Sequence, residues 1–269
     1  MMSCDKCFLP YFLYFCRRKA EKVQSSRSIV FLQVSRKSLP YFDFKQFRVY
    51  HDRCAQKVGT DGVVLGAWAD LNHAKRILDI GTGSGLMALM AAQREPLAQV
   101  VGLDVDEDAV EQASQNVLSS PFRDRIQIRK CDVRTYRDDQ KFDAIVCNPP
   151  FYTEDTLPPE EGRALARNVS SLPFEELVES ASRLLAKGGT FCVMLPMSCY
   201  QLFNVICLSN GLMLKRECTV QTVARKAPKR VLICYSNISS EQVIHEQLIL
   251  QDGNEKSEAY KDLARDFYL

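Results

Sequence analysis

A glycine-rich segment between two hydrophobic elements constrains the fold of this chain more than any other feature. Residues 77–80 (ILDI) form a short apolar run typical of a buried strand, and residues 86–94 predict a helix that Pro96 ends. Between them lies Gly81-Thr82-Gly83-Ser84-Gly85. Glycines permit positive φ and leave no Cβ to keep a ligand away from the backbone. This strand–loop–helix unit therefore predicts an α/β fold that binds a nucleotide-like ligand at the carboxyl ends of its strands.

The rest of the chain continues the alternation. Further apolar runs predict strands at residues 100–103, 126–128, 142–147 and 190–195, separated by helical patterns such as those at residues 107–118 and 173–186. Residues 212–223 and 230–235 are interpreted as the last two strands, an antiparallel pair, and residues 257–267 as a short capped helix. Residues 153–171 predict a long polar loop. The pattern indicates a mostly parallel sheet with helices on both faces.

Acidic residues accompany the glycine loop at positions suited to a nucleoside. Asp79 lies two residues before the first glycine, and Asp104 ends the next strand, where a carboxylate can accept hydrogen bonds from both ribose hydroxyls. Asp132, just after the third strand, is placed to meet an adenine amino group. The Gly81, Gly83 and Gly85 spacing resembles motif I of the class I methyltransferases, which implies S-adenosylmethionine as cofactor. NAD is the weaker alternative, because its enzymes use Gly-x-Gly-x-x-Gly.

The fourth predicted strand ends directly in Asn148-Pro149-Pro150-Phe151. An exocyclic amine is a poor nucleophile, because its lone pair is delocalised into the ring. The Asn148 side-chain oxygen and the Pro149 carbonyl can accept its two hydrogens and turn the lone pair toward a methyl donor, while the prolines restrict φ. Phe151 offers a face for base stacking, worth about 1–3 kcal/mol. Cys147 lies inside the apolar strand, so we interpret it as core and not as a nucleophile for cytosine C5 methylation.

Several segments carry a more specific resemblance. The chain resembles the bacterial tRNA1(Val) adenine-37 N6-methyltransferases from about residue 41 to its end, in residues 44–47 (FKQF), 51–55 (HDRCA), 57–62 (KVGTDG), 65–68 (LGAW), 258–260 (EAY) and 267–269 (FYL). The resemblance implies a Rossmann-like class I methyltransferase fold with a seven-stranded, mostly parallel sheet, an antiparallel last strand and helices on both faces. It also implies N6-methyladenosine beside the anticodon of a valine tRNA as product.

The resemblance suggests further site residues. The tetrapeptide of that family usually ends in tyrosine, and Phe151 keeps the stacking face while losing only the hydroxyl. Thr60-Asp61-Gly62 is expected to pack over the methionine end of the cofactor, with a plain turn as the alternative for any one of these residues. A flipped-out base needs contacts to the RNA backbone from elsewhere. The candidates are four cations in the run of residues 225–230, between the last two strands: Arg225, Lys226, Lys229 and Arg230. The alternative for this run is an exposed, solvated hairpin.

Two rival functions stay open at this level. A protein glutamine N5-methyltransferase of the release-factor type would present a planar nitrogen to the same acceptors. That class has a helical N-terminal domain, for which the first forty residues are too short and too irregular. A binding protein that keeps the cofactor fold without turnover is the other alternative, and the intact Asn148 and Asp104 count against it.

Composition limits the remaining classes. The formal net charge of +2 neither indicates nor excludes a nucleic-acid partner, because a local basic surface is what touches phosphate. The eleven cysteines are scattered and three histidines are unclustered, so we expect no metal and a reducing, cytoplasmic location. The apolar run at residues 7–16 is too short to span a bilayer. We expect an irregular extension at residues 1–40, a catalytic domain at 41–269, tRNA as partner, no membrane association, and a monomer.

Overall fold

A computed structural model describes residues 39–54, 57–149 and 172–269. Six α-helices lie in these ranges: α1 (Thr60–Trp68), α2 (Leu86–Arg94), α3 (Glu107–Leu118), α4 (Phe174–Leu184), α5 (Tyr200–Ser209) and α6 (Glu258–Leu263). The strands of the central sheet are β3 (Arg76–Ile80), β4 (Gln99–Asp104), β5 (Ile126–Lys130), β6 (Phe142–Cys147), β7 (Leu185–Pro196), β8 (Met213–Gln221), β9 (Arg230–Ser236) and β10 (Ile244–Ile249). Two small hairpins add β1 (Tyr41–Asp43) with β2 (Arg48–Tyr50), and β11 (Gln251–Asp252) with β12 (Glu255–Lys256).

The central sheet confirms the expected α/β architecture. Its strand order is β10-β8-β9-β7-β6-β3-β4-β5, and β9 runs antiparallel to both of its neighbours, β7 and β8. The other pairs are parallel. The sheet has eight strands where the resemblance implied seven. The additional strand, β10, pairs parallel with β8 at the sheet edge; three of its six side chains are exposed and it lacks the long apolar run of a buried strand.

Successive residues of the strands point to opposite faces and build two separate cores. Ile77 of β3 belongs to the core packed under α1, α2 and α3, whereas its neighbour Leu78 belongs to the core under α4 and α5. Both side chains are completely buried. This arrangement confirms helices on both faces, and it brings the carboxyl ends of β3, β4, β5 and β6 to one edge of the sheet.

The segment that precedes α1 is held against α3 and the C-terminus. The buried Asn116 side chain of α3 accepts a hydrogen bond from Tyr50 N and donates to the carbonyls of Tyr50 and Ser84, at 2.9, 2.8 and 2.8 Å. Phe44 stacks on Tyr268, with ring centroids 6.2 Å apart. The chain before α1 is therefore tied to the glycine loop through α3 and to the C-terminus through aromatic packing.

No helix in the described ranges is both long enough and apolar enough to cross a membrane. Within the same ranges, no three His, Cys, Asp or Glu residues come together in a way that could hold a metal ion.

Candidate active site

The loop between β3 and α2 adopts a conformation that its glycines make possible. Gly81, Gly83 and Gly85 have φ of +70°, +54° and +79°, a region that other residues rarely occupy. The amides of Gly81 and Thr82 both donate to the carbonyl of Leu103 on β4, at 2.9 Å. A Cβ on Gly81 would meet no described atom within 4 Å. The loop is therefore anchored to the sheet on one side and leaves bare backbone on the other.

Gly85 has a different neighbour from the other two glycines. It precedes the first residue of α2, and a Cβ at this position would lie 3.2 Å from Cβ of Ala113 on α3. The third glycine thus allows α2 and α3 to approach closely, which is the packing role a last loop glycine has in nucleotide-binding folds.

Asp79 lies beneath the loop and is fully buried. Thr82 Oγ1 donates a hydrogen bond of 2.6 Å to Asp79 Oδ2. Burial raises the pKa of the Asp79 carboxyl to about 7 and the nearby charge of Asp104 adds to this, although the Thr82 hydrogen bond works against it. Asp79 therefore supports the loop from below, and a direct contact with the ligand stays a prediction.

Asp104 occupies the carboxyl end of β4, beside the loop. Its Oδ2 accepts a hydrogen bond from Gly83 N at 2.9 Å, and its Oδ1 accepts one from Asp106 N at 3.0 Å. The residue is half-buried, and each carboxylate oxygen keeps a second lone pair. Two backbone amides thus fix the orientation of this carboxylate and leave acceptor capacity for ribose hydroxyls.

Asp132 follows β5 at the same edge, but an arginine already engages its carboxylate. Nε of Arg134 donates to both Asp132 oxygens, at 2.9 and 2.8 Å, and this hydrogen bonding lowers the pKa of Asp132. Arg134 also pairs with Glu176 of α4 at 2.9 Å. The proposed adenine contact of Asp132 would have to share the carboxylate with Arg134, and it stays a prediction.

A cleft of about 550 Å³ opens at this edge of the sheet. It is lined by predicted residues from four separate parts of the chain, together with two methionines that the sequence patterns did not indicate: Thr60, Asp61, Gly62, Gly81, Gly83, Asn148, Pro149 and Arg230 in the first group, and Met87 and Met194 in the second. Asp79, Gly85, Asp104 and Asp132 do not line it. The cleft thus brings the glycine loop and the beginning of the tetrapeptide into one space.

Asn148 stands where the cleft meets the end of β6. A Cβ added to Gly62 of α1 would lie 3.9 Å from its Nδ2, and its side chain makes no hydrogen bond with the residues that the structure describes. Pro149 follows it in the cleft wall, whereas Pro150 and Phe151 fall outside the described residues. Cys147 is buried, and burial raises its thiol pKa well above the usual value, in agreement with its interpretation as core.

The basic run separates into two parts. Arg225, Lys226 and Lys229 are exposed in the connection between β8 and β9, and no ion pair joins them to the described part of the chain. Arg230 begins β9, lines the cleft, and pairs through Nε with Asp61 Oδ2 of α1 at 3.1 Å. Three of the four cations thus form an open basic patch, whereas Arg230 belongs to the cleft wall.

Comparison with known proteins assigns the family. The model of the methyltransferase small domain matches residues 58–199. A tRNA1(Val) (adenine(37)-N6)-methyltransferase of Bacteroides thetaiotaomicron is 44% identical over 232 residues, which cover 86% of this chain and 98% of that protein. The chain belongs to the same methyltransferase family. A relative with the same name from Phocaeicola vulgatus is 45% identical over 230 residues, covering 86% of this chain and 98% of its own.

A solved structure supports the fold of this methyltransferase independently of sequence. The crystal structure of a predicted O-methyltransferase from Agrobacterium tumefaciens superposes with a TM-score of 0.58 at 19% identity, covering 77% of this chain and 96% of the other. This similarity shows the fold alone.

S-adenosylmethionine is the methyl donor of this methyltransferase family. The described residues fit such a group. The bare backbone at Gly81, the oriented carboxylate of Asp104 and the adjoining cleft match a nucleoside attached to a short polar chain. Asn148 lines the same cleft, and its contact with the atom that receives the methyl group stays a prediction.

Proposed function

We propose that this enzyme transfers a methyl group from S-adenosylmethionine to the exocyclic N6 of adenine 37 in tRNA1(Val). The observation that carries the proposal is the placement of Asn148 and Pro149 in the same cleft as the glycine loop. The activity for which the relatives at 44% and 45% identity are named supports the tRNA substrate. Because tRNA is met in the cytoplasm, we also propose a cytoplasmic site of action.

The main contribution of the protein to this reaction is to orient the amine relative to the methyl donor. The cofactor, when bound, supplies a methyl group on a positively charged sulfur. The Asn148 side-chain oxygen and the Pro149 carbonyl accept the two amine hydrogens, so that the N6 lone pair points at the methyl carbon. Methyl transfer would form the N6–C bond while the cofactor's C–S bond breaks, and the electron pair of that bond would go to sulfur. The extra proton on N6 can leave to water, so no general base is needed.

The remaining substrate contacts follow from this pose. We propose that the base stacks on Phe151, next to Pro150, and that Arg225, Lys226 and Lys229 contact the phosphate backbone. We further propose that residues 41–269 form the catalytic domain, with residues 1–40 outside it, which agrees with the 232 residues matched by the relative from Bacteroides thetaiotaomicron.

The test is methylation of total tRNA with labelled S-adenosylmethionine, followed by mapping of the modified nucleoside by mass spectrometry. We expect N6-methyladenosine at position 37 of one tRNA. The Asn148→Ala variant should lose methyl transfer and keep its cofactor affinity, because the proposed cofactor contacts lie at the glycine loop and Asp104. It should also keep its fold, since the Asn148 side chain makes no hydrogen bond with the described residues. Asn254→Ala, in an exposed turn, is the matched control and should retain activity. Label in a release factor instead of tRNA would favour the glutamine alternative.

A further inference from the structure

We propose that Arg230 contacts the target adenine itself, donating a hydrogen bond to a ring nitrogen beside the amine, and that Asp61 holds its guanidinium in place for this contact. The inference rests on the proposed tRNA adenine activity. It changes the predicted role of Arg230, which the sequence grouped with the phosphate-binding cations.

The order of strands places Arg230 on the substrate side of the site. The cofactor candidates lie at the ends of β5, β4 and β3, and Asn148 follows β6, the next strand across the sheet. The nucleophile in a methyl transfer must approach from the side opposite the departing sulfur. The base is therefore expected beyond Asn148, toward β7 and β9, which are the next two strands at about 4.8 Å spacing.

The register of these strands makes Arg230 part of a wall beside that position. Cys147, the last residue of β6, is paired with Val193 of β7, whereas Arg230 is paired with Pro196, three residues farther along β7. At about 3.3 Å per residue, β7 and β9 extend about 10 Å past the end of β6. Met194, which is almost completely buried in the core, closes the cleft beneath this wall.

The charge balance of Arg230 favours a base over a phosphate. Its Nε donates to Asp61 at 3.1 Å and its Nη1 to the carbonyl of Lys229 at 3.3 Å, while no described residue accepts from Nη2. The pair with Asp61 carries no net charge, so it attracts a phosphate weakly but still offers an oriented donor to a neutral acceptor. The exposed cations at residues 225, 226 and 229 have no such carboxylate partner within the described ranges.

Adenine presents the matching acceptors. When Asn148 and Pro149 accept the two N6 hydrogens, N1 and N7 remain as lone-pair acceptors on either side of the amine. A donor from the wall of the cleft would complete a three-point recognition of adenine. Guanine carries a carbonyl at position 6, which would face the two acceptor oxygens of Asn148 and Pro149 without a hydrogen to offer them, so these acceptors disfavour guanine.

The test is a double-mutant cycle between enzyme and base, with full-length tRNA carrying adenine, 1-deazaadenine or 7-deazaadenine at the methylated position. One deaza substitution should lower kcat/KM of the wild type about tenfold to a hundredfold, as expected for a lost charge-assisted hydrogen bond. In Arg230→Met that penalty should vanish, because the donor is already absent. Arg225→Met is the matched control. It should lower kcat/KM by the same factor on all three tRNAs, so the penalty of the deaza substitution should stay as in the wild type.

Other outcomes would overturn the inference. If both deaza penalties are the same in wild type and Arg230→Met, Arg230 does not contact the base. A large loss of S-adenosylmethionine affinity in calorimetry would assign Arg230 to the carboxylate of the cofactor instead. If Arg230→Met fails to fold, Arg230→Lys is the second variant, because it keeps a cation at this position. It should retain part of the deaza penalty. If the wild-type enzyme does not methylate the tRNA that carries ordinary adenine, this result contradicts the proposed function. It would be distinguishable from a failure of the Arg230 contact, which is read from the deaza penalties.

Asp61 acts through Arg230 as a positioning residue and is tested by the same cycle. Asp61→Asn should reduce the deaza penalty and lower kcat/KM on the unmodified tRNA. Cofactor affinity should stay near that of the wild type. A deaza penalty unchanged from the wild type in this variant would show that Asp61 has only a structural role.

Discussion

The buried carboxyl of Asp79 should make this protein less stable as the pH rises through the neutral range. Its pKa is about 7 in the folded protein and 3.8 in the ordinary aqueous state, chiefly because burial disfavours the charge. The folded state therefore binds more protons than the unfolded state between these two values. The stabilising contribution is complete below pH 3.8, declines as the pH rises, and is lost once the pH passes about 7.

The size of the effect follows from the two pKa values. Each pH unit between them is worth about 1.4 kcal/mol, so full ionisation costs the folded state on the order of 4 kcal/mol. About 3 kcal/mol of this falls between pH 5 and pH 8, the accessible range. The substitution Asp79→Asn removes the ionisation and keeps an oxygen that can accept from Thr82. The variant should therefore gain about 3 kcal/mol relative to wild type across this range.

The measurement is urea unfolding of wild type and Asp79→Asn at half-unit pH steps, without cofactor. Taking the difference between the two proteins cancels the contributions of all other titrating groups. Asn254→Ala, which changes no titratable group and lies in an exposed turn, is the control and should show a flat difference. Thr82→Val, which removes the hydrogen bond to the carboxylate, should shift the transition to higher pH. A difference between wild type and Asp79→Asn that is equal at pH 5 and pH 8 would refute the reasoning.

Three further predictions test other parts of the site. Asp104→Ala should weaken S-adenosylmethionine binding about tenfold to a hundredfold in calorimetry, by loss of ribose hydrogen bonds; unaltered affinity would contradict its role. The double charge reversal K226E/K229E should lower tRNA affinity and reduce the slope of log affinity against log salt by about 2, whereas an unchanged slope would place the RNA elsewhere. Asn116→Ala should lower the free energy of unfolding by about 2–3 kcal/mol, because buried groups at Tyr50 and Ser84 lose their partners. An unchanged free energy in denaturant unfolding would show that the Asn116 hydrogen bonds do not stabilise the fold.

Part of the fold was missed for an identifiable reason. Helix α1 has buried residues on nearly all of its sides, including Val63, Val64, Leu65 and Trp68. A helix that is apolar all round has no hydrophobic period for a sequence pattern to detect. Strand β10 escaped prediction for the opposite reason, since an edge strand with exposed side chains has no apolar run.

The sequence by itself determined the local chemistry of this protein. The positive φ of Gly81 and Gly83, the carboxylate of Asp104 at a strand end and the position of Asn148 directly after β6 follow from rules that act over a few residues, and so they were predictable. The resemblance in residues 44–68 was confirmed by the family to which the chain belongs.

Only the tertiary structure decided which of these groups meet. Arg230 looked like the last of four phosphate-binding cations, and its pairing with Asp61, 169 residues away, separates it from them. The cause is strand register, because β9 begins where β7 rises above the end of β6. Register is set by the packing of two cores on either side of the sheet, and that packing is a property of the whole chain.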